Sequence, residues 1–148
     1  MSVKAIVSYL ENKRTKCVVT DVDDELTLIK FSVNKKNADN FITKQIKVGK
    51  PVYFFLCYHK KNKNKIALRI PNVLILTEKI SKLKALKYIA KQEIYGVKFT
   101  MKKRKSSFSL TASLEMLLPN RSSFKKIIKT AMSHLVAACI DVTNEVID

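Results

Sequence analysis

Residue types able to carry out chemistry are few in this chain, and their spacing argues against an enzyme. His59 lies in a run of lysines and His134 in a helical segment, and neither has a cysteine or carboxylate at metal-ligand spacing. Asp21, Asp23, Asp24 and Glu25 form an acidic cluster. Carboxylates so grouped could hold Mg2+ in a nuclease. This group, however, falls between two β-rich runs, where aspartates commonly form a turn, and the basic part of the chain offers no second acidic group to complete a site. Cys17, Cys57 and Cys139 are odd in number and widely spaced, as expected of reduced core residues in an intracellular protein. With only two glycines there is no phosphate-cradling loop and no dinucleotide fingerprint. The expectation is a non-enzymatic protein with no catalytic residue, no metal and no cofactor.

Charge is the stronger signal. The 148 residues carry 29 Lys and Arg against 12 Asp and Glu, a net charge of +17. The excess is concentrated in residues 42–132, where the acids are Glu78, Glu93 and Glu115. Such a field suits a polyanion, nucleic acid above all, although a lysine-rich coat can also serve only to solvate a surface. An apolar content of 47% excludes a disordered polycation. The charge is densest in two runs: His59, Lys60, Lys61, Asn62, Lys63, Asn64 and Lys65, then Met101, Lys102, Lys103, Arg104 and Lys105. Like charges gathered in a turn repel one another and add no stability, whereas phosphate bound there would release condensed counterions.

The elements that must position these runs read as one unit used twice. Residues 52–91 lie without a gap on residues 94–133, a shift of 42. Tyr53 then meets Tyr95, Lys60 and Lys61 meet Lys102 and Lys103, Leu68 meets Leu110, Leu76 meets Leu118 and Ser81 meets Ser123. The echo predicts a strand, a basic turn, a returning strand and a helix in each copy. In the second copy Val97, Phe99 and Met101 alternate with Lys98, Thr100 and Lys102, so one face is core and the other polar. Carried back through the shift, this alternation buries Tyr53, Phe55 and Cys57 with Ile66, Leu68 and Ile70. It turns Phe54, Leu56, Tyr58 and Lys60 outward, with Ala67 and Arg69 opposite. Phe54 and Tyr58 would then offer rings on which bases stack, unless the first 40 residues cover them.

Ahead of the repeat, residues 3–10, 16–22 and 25–33 read as strands of an antiparallel meander, and residues 41–47 as a further strand. Thr77 and Asn120 are suited to cap the two helices. The first helix carries an apolar stripe of Ile80, Leu83, Leu86 and Ala90. The second carries Phe124, Ile128, Ala131, Leu135, Cys139, Val142 and Val146, long enough for a dimer seam as well as core. Arg121, Lys125, Lys126 and Lys129 sit at the positive end of that helix dipole, a cost that a functional basic surface would explain. The expected fold is α+β, with antiparallel β-sheets and two helices built on the period-42 strand-hairpin-helix duplication. Residues 1–148 form a single domain: an N-terminal β-meander (1–48), the first repeat (49–91) and the second repeat with its long C-terminal helix (92–148). An oligonucleotide-binding barrel is the competing fold.

Val73-Leu74-Ile75-Leu76-Thr77-Glu78-Lys79-Ile80 and Leu114-Glu115-Met116-Leu117-Leu118-Pro119-Asn120-Arg121 each lead a strand into an amphipathic helix. With Gly49-Lys50-Pro51-Val52, this order resembles the positive-coactivator family of single-stranded-DNA-binding transcription proteins and the related Whirly proteins, over about residues 42–140. The resemblance implies binding of single strands across curved sheets by basic and aromatic side chains, commonly as an oligomer.

The residues expected to bind nucleic acid are Phe54, Tyr58, Lys60, Lys61, Lys63, Lys65, Arg69, Lys98, Lys102, Lys103, Arg104 and Lys105. The expected partner is single-stranded DNA, preferred over RNA on the resemblance, in transcription, replication or strand protection. A homodimer or higher oligomer would form through the C-terminal helix. The alternative is a structural or interaction protein, such as a small viral factor, whose basic face docks an acidic partner. The first residues alternate charged and apolar types, unlike a signal peptide, and the apolar run at residues 52–58 is too short to cross a membrane. An intracellular location follows, in nucleus or cytoplasm and including the host cell of a virus, with no membrane partner.

Overall fold

The computed structural model describes residues 2–34, 52–62, 64–91, 96–117 and 121–147. Along the chain run α1 (Val3–Asn12), β1 (Cys17–Asp21), β2 (Leu26–Val33), β3 (Val52–His59), β4 (Lys65–Leu76), α2 (Lys79–Lys91), β5 (Lys98–Lys103), β6 (Phe108–Leu117) and α3 (Arg121–Ile147). The strands form one six-stranded sheet in the order β1-β2-β3-β4-β6-β5, antiparallel throughout. The α+β class is as expected from the sequence.

The N-terminal segment differs from the expectation. Residues 3–10 form α1 rather than a strand, so the described residues hold three helices, and of the expected meander they show the β1–β2 hairpin. Val3, Ile6, Val7 and Leu10 recur at helical spacing and place one face in the core. Ser2 caps the start, its Oγ accepting from the Ala5 N–H at 3.2 Å. The helix stops at a left-handed Arg14 (φ 64°): Arg14 N–H donates to the Glu11 carbonyl and Thr15 N–H to that of Leu10. Thr15 Oγ1 then donates to the Ser32 carbonyl at 2.7 Å and ties this end to β2. The strand expected at residues 41–47 and the cap expected at Asn120 lie outside the described residues. At α2 the first helical carbonyl belongs to Glu78, one residue after Thr77.

All three helices cover one face of the sheet. That face presents Thr27, Ile29, Phe31 and Val33 on β2, then Phe54, Leu56 and Tyr58 on β3. Ile66, Leu68 and Ile70 follow on β4, Leu110 and Ala112 on β6, and Phe99 on β5. Phe31 stacks on Phe54 with centroids 5.4 Å apart, Tyr9 of α1 meets Phe124 of α3 edge-on, and Tyr88 of α2 meets Phe99 edge-on. Tyr88 Oη donates to Asp141 at 2.6 Å and joins α2 to α3. Burial, and then the carboxylate beside it, push that phenol well above its usual range.

This arrangement inverts the expected facing of β3. Phe54 is 0% and Tyr58 4% exposed, whereas Tyr53 and Phe55 point to the other side, helix-free among the described residues. The reason is hairpin geometry. Tyr58 opposes Ile66 across the first turn, leaving seven residues (59–65) between them, but Lys103 opposes Phe108 across the second, leaving four (104–107). An odd difference in loop length reverses which side of the first strand is buried. A gapless 42-residue register therefore cannot hold along both strands of each hairpin.

The stripe of α3 (Phe124, Ile128, Ala131, Leu135, Val142, Val146) is enclosed in the chain's own core, so it is not left over as a dimer seam. On α2 it is Ala85 and Tyr88 that are buried, while Ile80, Leu83 and Leu86 are exposed, the reverse of the expected facing.

Phe54→Ala is expected to destabilise the fold by about 3–5 kcal/mol, against about 1 kcal/mol or less for Phe55→Ala, as read from urea unfolding midpoints. Equal losses would contradict the assigned facing.

Candidate nucleic-acid interface

Alternation along each strand sends every second side chain to the helix-free face, and the antiparallel registers then line up one residue from each strand. Val18 pairs with Lys30, Lys30 with Phe55, Phe55 with Arg69, Arg69 with Ser113 and Ser113 with Lys98. The result is a row crossing all six strands in which a cation recurs on every second strand from β2 onward. Strand spacing puts Lys30, Arg69 and Lys98 about 10 Å apart in turn. All three are exposed.

Phe55 of the row and Tyr53 beside it stand next to Lys30. Lys30 Nζ lies 4.9 Å from the Tyr53 ring centroid and 5.8 Å from that of Phe55. Tyr53 is 48% exposed and Phe55 half-buried. On β5, Thr100 and Lys102 continue the same face opposite Thr111 and Ser109. Among the described strand residues of this face the carboxylate is Glu115, and Lys65 pairs with it at 3.8 Å. Cys57 and Ala67 are buried on this side yet belong to no part of the helix-covered core. They form an apolar floor one row from Phe55 and Arg69, paired with each other.

The residues expected to bind separate into groups. Arg69, Lys98 and Lys102 share the helix-free face. Phe54 and Tyr58 are in the core and offer no ring to a ligand. Lys60 forms an ion pair with Asp21 at 3.2 Å and donates to the Asp23 carbonyl, and Lys61 pairs with Glu25 at 3.0 Å. Lys63 lies outside the described residues. Lys103 and Lys105 are exposed at the β5–β6 turn, and the Arg104 guanidinium donates to Asn72 Oδ1 at 2.8 Å. The two basic turns are not neighbours. β4 and β6 run antiparallel with Lys65 opposite Leu117 at one end and Leu76 opposite Phe108 at the other. The turns thus stand at opposite ends of the sheet, on the order of 30 Å apart.

Lys30, Tyr53 and Phe55 were not expected as site residues. Lys30 was legible: it interrupts Thr27, Ile29, Phe31 and Val33 on the polar side of an alternating strand. β3 carried no such signal, because Val52 to Tyr58 is apolar at every position.

The acidic cluster serves the β1–β2 turn. Asp23 Oδ1 accepts from the Glu25 and Leu26 N–H groups at 2.7 and 2.9 Å, and Asp21 Oδ1 accepts from Thr27 Oγ1 at 2.8 Å. The Thr27 hydroxyl, then Lys60, hold the Asp21 carboxyl below its usual range. Among the described residues no group of three or more His, Cys, Asp or Glu could hold a metal ion. The three cysteines are free thiols, and burial raises each: Cys17 to about 11, with Glu11 adding to it, Cys139 to about 12, and Cys57 upward. Protonated thiols of this kind are poor nucleophiles. No helix among the described residues is long and apolar enough to cross a membrane.

Comparison with protein-family models, with curated proteins and with solved structures found no match for this chain.

Because the folded Asp21 pKa is depressed, its contribution to stability is fully present above the ordinary aspartate value and is lost as pH falls through the folded value. Thr27→Val is expected to move the Asp21 titration, followed by carboxyl-carbon NMR, upward toward that ordinary value. An unmoved titration would remove Thr27 as the main cause.

Proposed function

We propose that the chain is a non-enzymatic single-stranded nucleic-acid-binding protein that lays the strand across the helix-free face of its sheet. The observation that carries this reading is the transverse row of Lys30, Phe55, Arg69 and Lys98, with Tyr53 beside it. Stacking needs an accessible ring whose face any base can cover, and phosphate needs cations at intervals along its path. The row supplies both on one surface. A duplex hides its base faces, so rings on an open sheet favour an unpaired strand.

Lys102 extends the cationic path along β5, and Lys103 and Lys105 lie at its end. Lys60, Lys61 and Lys65 have carboxylate partners and contribute less. DNA is preferred to RNA on the resemblance to the positive-coactivator and Whirly proteins, with roles in transcription, replication or strand protection. An intracellular location accords with such a ligand.

Fluorescence polarisation with labelled single strands and duplexes at two salt concentrations tests this. Single strands are expected to bind more tightly. Tyr53→Ala and Phe55→Ala are each expected to weaken binding roughly 5- to 150-fold, the value of one stacked base. Arg69→Ala with Lys98→Ala should reduce the slope of log affinity against log salt by about 1.4, two phosphate contacts' worth. Absence of binding at low salt, or affinity indifferent to all four substitutions, overturns the proposal.

A further inference from the structure

The outer face of α2 is built from two parallel rows. Leu83, Leu86 and Ala90 follow one another at i, i+3 and i+7, and Lys84, Lys87 and Lys91 do the same one residue later, about 100° round the helix. Ile80 precedes Lys84 and Lys87 by four and seven residues and so lies at the start of the lysine row. All these residues are exposed, Ile80 at 67%, Leu83 at 49% and Leu86 at 43%. The helix holds to the rest of the molecule by its other side, through Ala85 and Tyr88. Beside its first turn lies a groove of mixed lining, in which Ile75 and Ile147, both exposed, stand with Thr77, Glu78 and Ser81.

We propose that this face docks an acidic amphipathic helix of a partner protein. The partner's apolar row would cover Leu83, Leu86 and Ala90, and its Asp or Glu row, displaced by one residue, would meet Lys84, Lys87 and Lys91. Charge selects this occupant. α2 contains no acidic residue, so a second copy of α2 brings only more lysine against lysine. An anionic lipid surface fits less well. α2 has no exposed aromatic anchor, its Tyr88 being buried, and the exposed carboxylates Glu78 and Glu145 stand just before α2 and toward the end of α3. The site lies in the helical layer, away from the face proposed for nucleic acid, so the two bindings are independent.

The test uses the full chain and a synthetic helical peptide with Leu at i, i+3 and i+7 and Glu one residue after each, followed by calorimetric titration. This peptide is expected to bind, and a scrambled one is not. Leu83→Ser with Leu86→Ser should weaken binding by at least about tenfold with the unfolding midpoint little changed, since both side chains are already in solvent. Lys84→Glu, Lys87→Glu and Lys91→Glu together should abolish binding of the acidic peptide and restore it for a peptide carrying Lys in place of each Glu. A scrambled peptide that binds equally well, or charge-reversed variants that the matching peptide does not rescue, overturns the proposal. So would retention on vesicles of phosphatidylserine and phosphatidylcholine without peptide binding, or sedimentation showing self-association that Leu83→Ser removes.

Discussion

The pairing of β4 with β6 is the contact on which the rest of the molecule depends. Each belongs to a hairpin, β3–β4 and β5–β6, and their long antiparallel ladder from Lys65/Leu117 to Leu76/Phe108 joins the hairpins into one sheet. It also sets Ile66, Leu68 and Ile70 opposite Met116, Leu114 and Ala112, so that α3 has one continuous apolar surface to cover. A slip of β4 by one residue would carry Ile66, Leu68 and Ile70 to the helix-free face and bring Arg69 into the core. The ladder is interrupted between Ile70 and Leu74, where Pro71 and a left-handed Asn72 (φ 53°) take up two extra residues. Asparagine tolerates that conformation better than most residues. The Arg104 guanidinium holds its side-chain oxygen, so the β5–β6 turn is anchored to the bulge of the strand two positions away.

The same ladder explains how much of the fold was legible beforehand. Where apolar and polar residues alternate, as in β2, β4, β5 and β6, the core face can be read directly. Where every position is apolar, as in β3, alternation is silent, and the facing depends on the length of a turn whose closing pair cannot be seen in the sequence. The echo at 42 residues supplied a facing for β3 by analogy. It failed there because the two turns differ by an odd number of residues. Arg69, Lys98 and Lys102 survived as members of one surface because their own strands alternate, and the rings beside them proved to be Tyr53 and Phe55. In α1 the β-branched residues Val3, Ile6 and Val7 suggested a strand, yet their spacing is also that of one helical face, and Ser2 settles the matter as a cap.

α2 was misread for another reason. A stripe of large aliphatic residues is ordinarily the buried side of a helix, but the rule runs one way only, since folded surfaces retain much apolar area. Here close approach to α3 selects the side with a small residue, Ala85, and with Tyr88, whose ring packs on Phe99 and whose hydroxyl has Asp141 to bond. The polar handle of Tyr88 makes that side the better one to bury, because its only polar group is satisfied there.

The arrangement of charge follows from these choices. A net charge of +17 repels itself unless the cations are spread out or locally answered. The acids are placed where lysines would otherwise crowd: Asp21 and Glu25 of the β1–β2 turn meet Lys60 and Lys61 of the β3–β4 turn, and Glu115 lies beside Lys65. These ion pairs therefore all serve the same end of the sheet. Elsewhere Lys30 is held over Tyr53 and Phe55, Lys82 lies 3.9 Å from the Phe108 ring centroid, and Lys125 lies 6.0 Å from that of Tyr9. Rings answer a cation without cancelling it. A carboxylate would remove the positive field at Lys30, whereas the faces of Tyr53 and Phe55 leave that field available to an anion arriving from solvent. The end of the sheet that carries the acids has been neutralised, and the middle of the helix-free face has kept its charge.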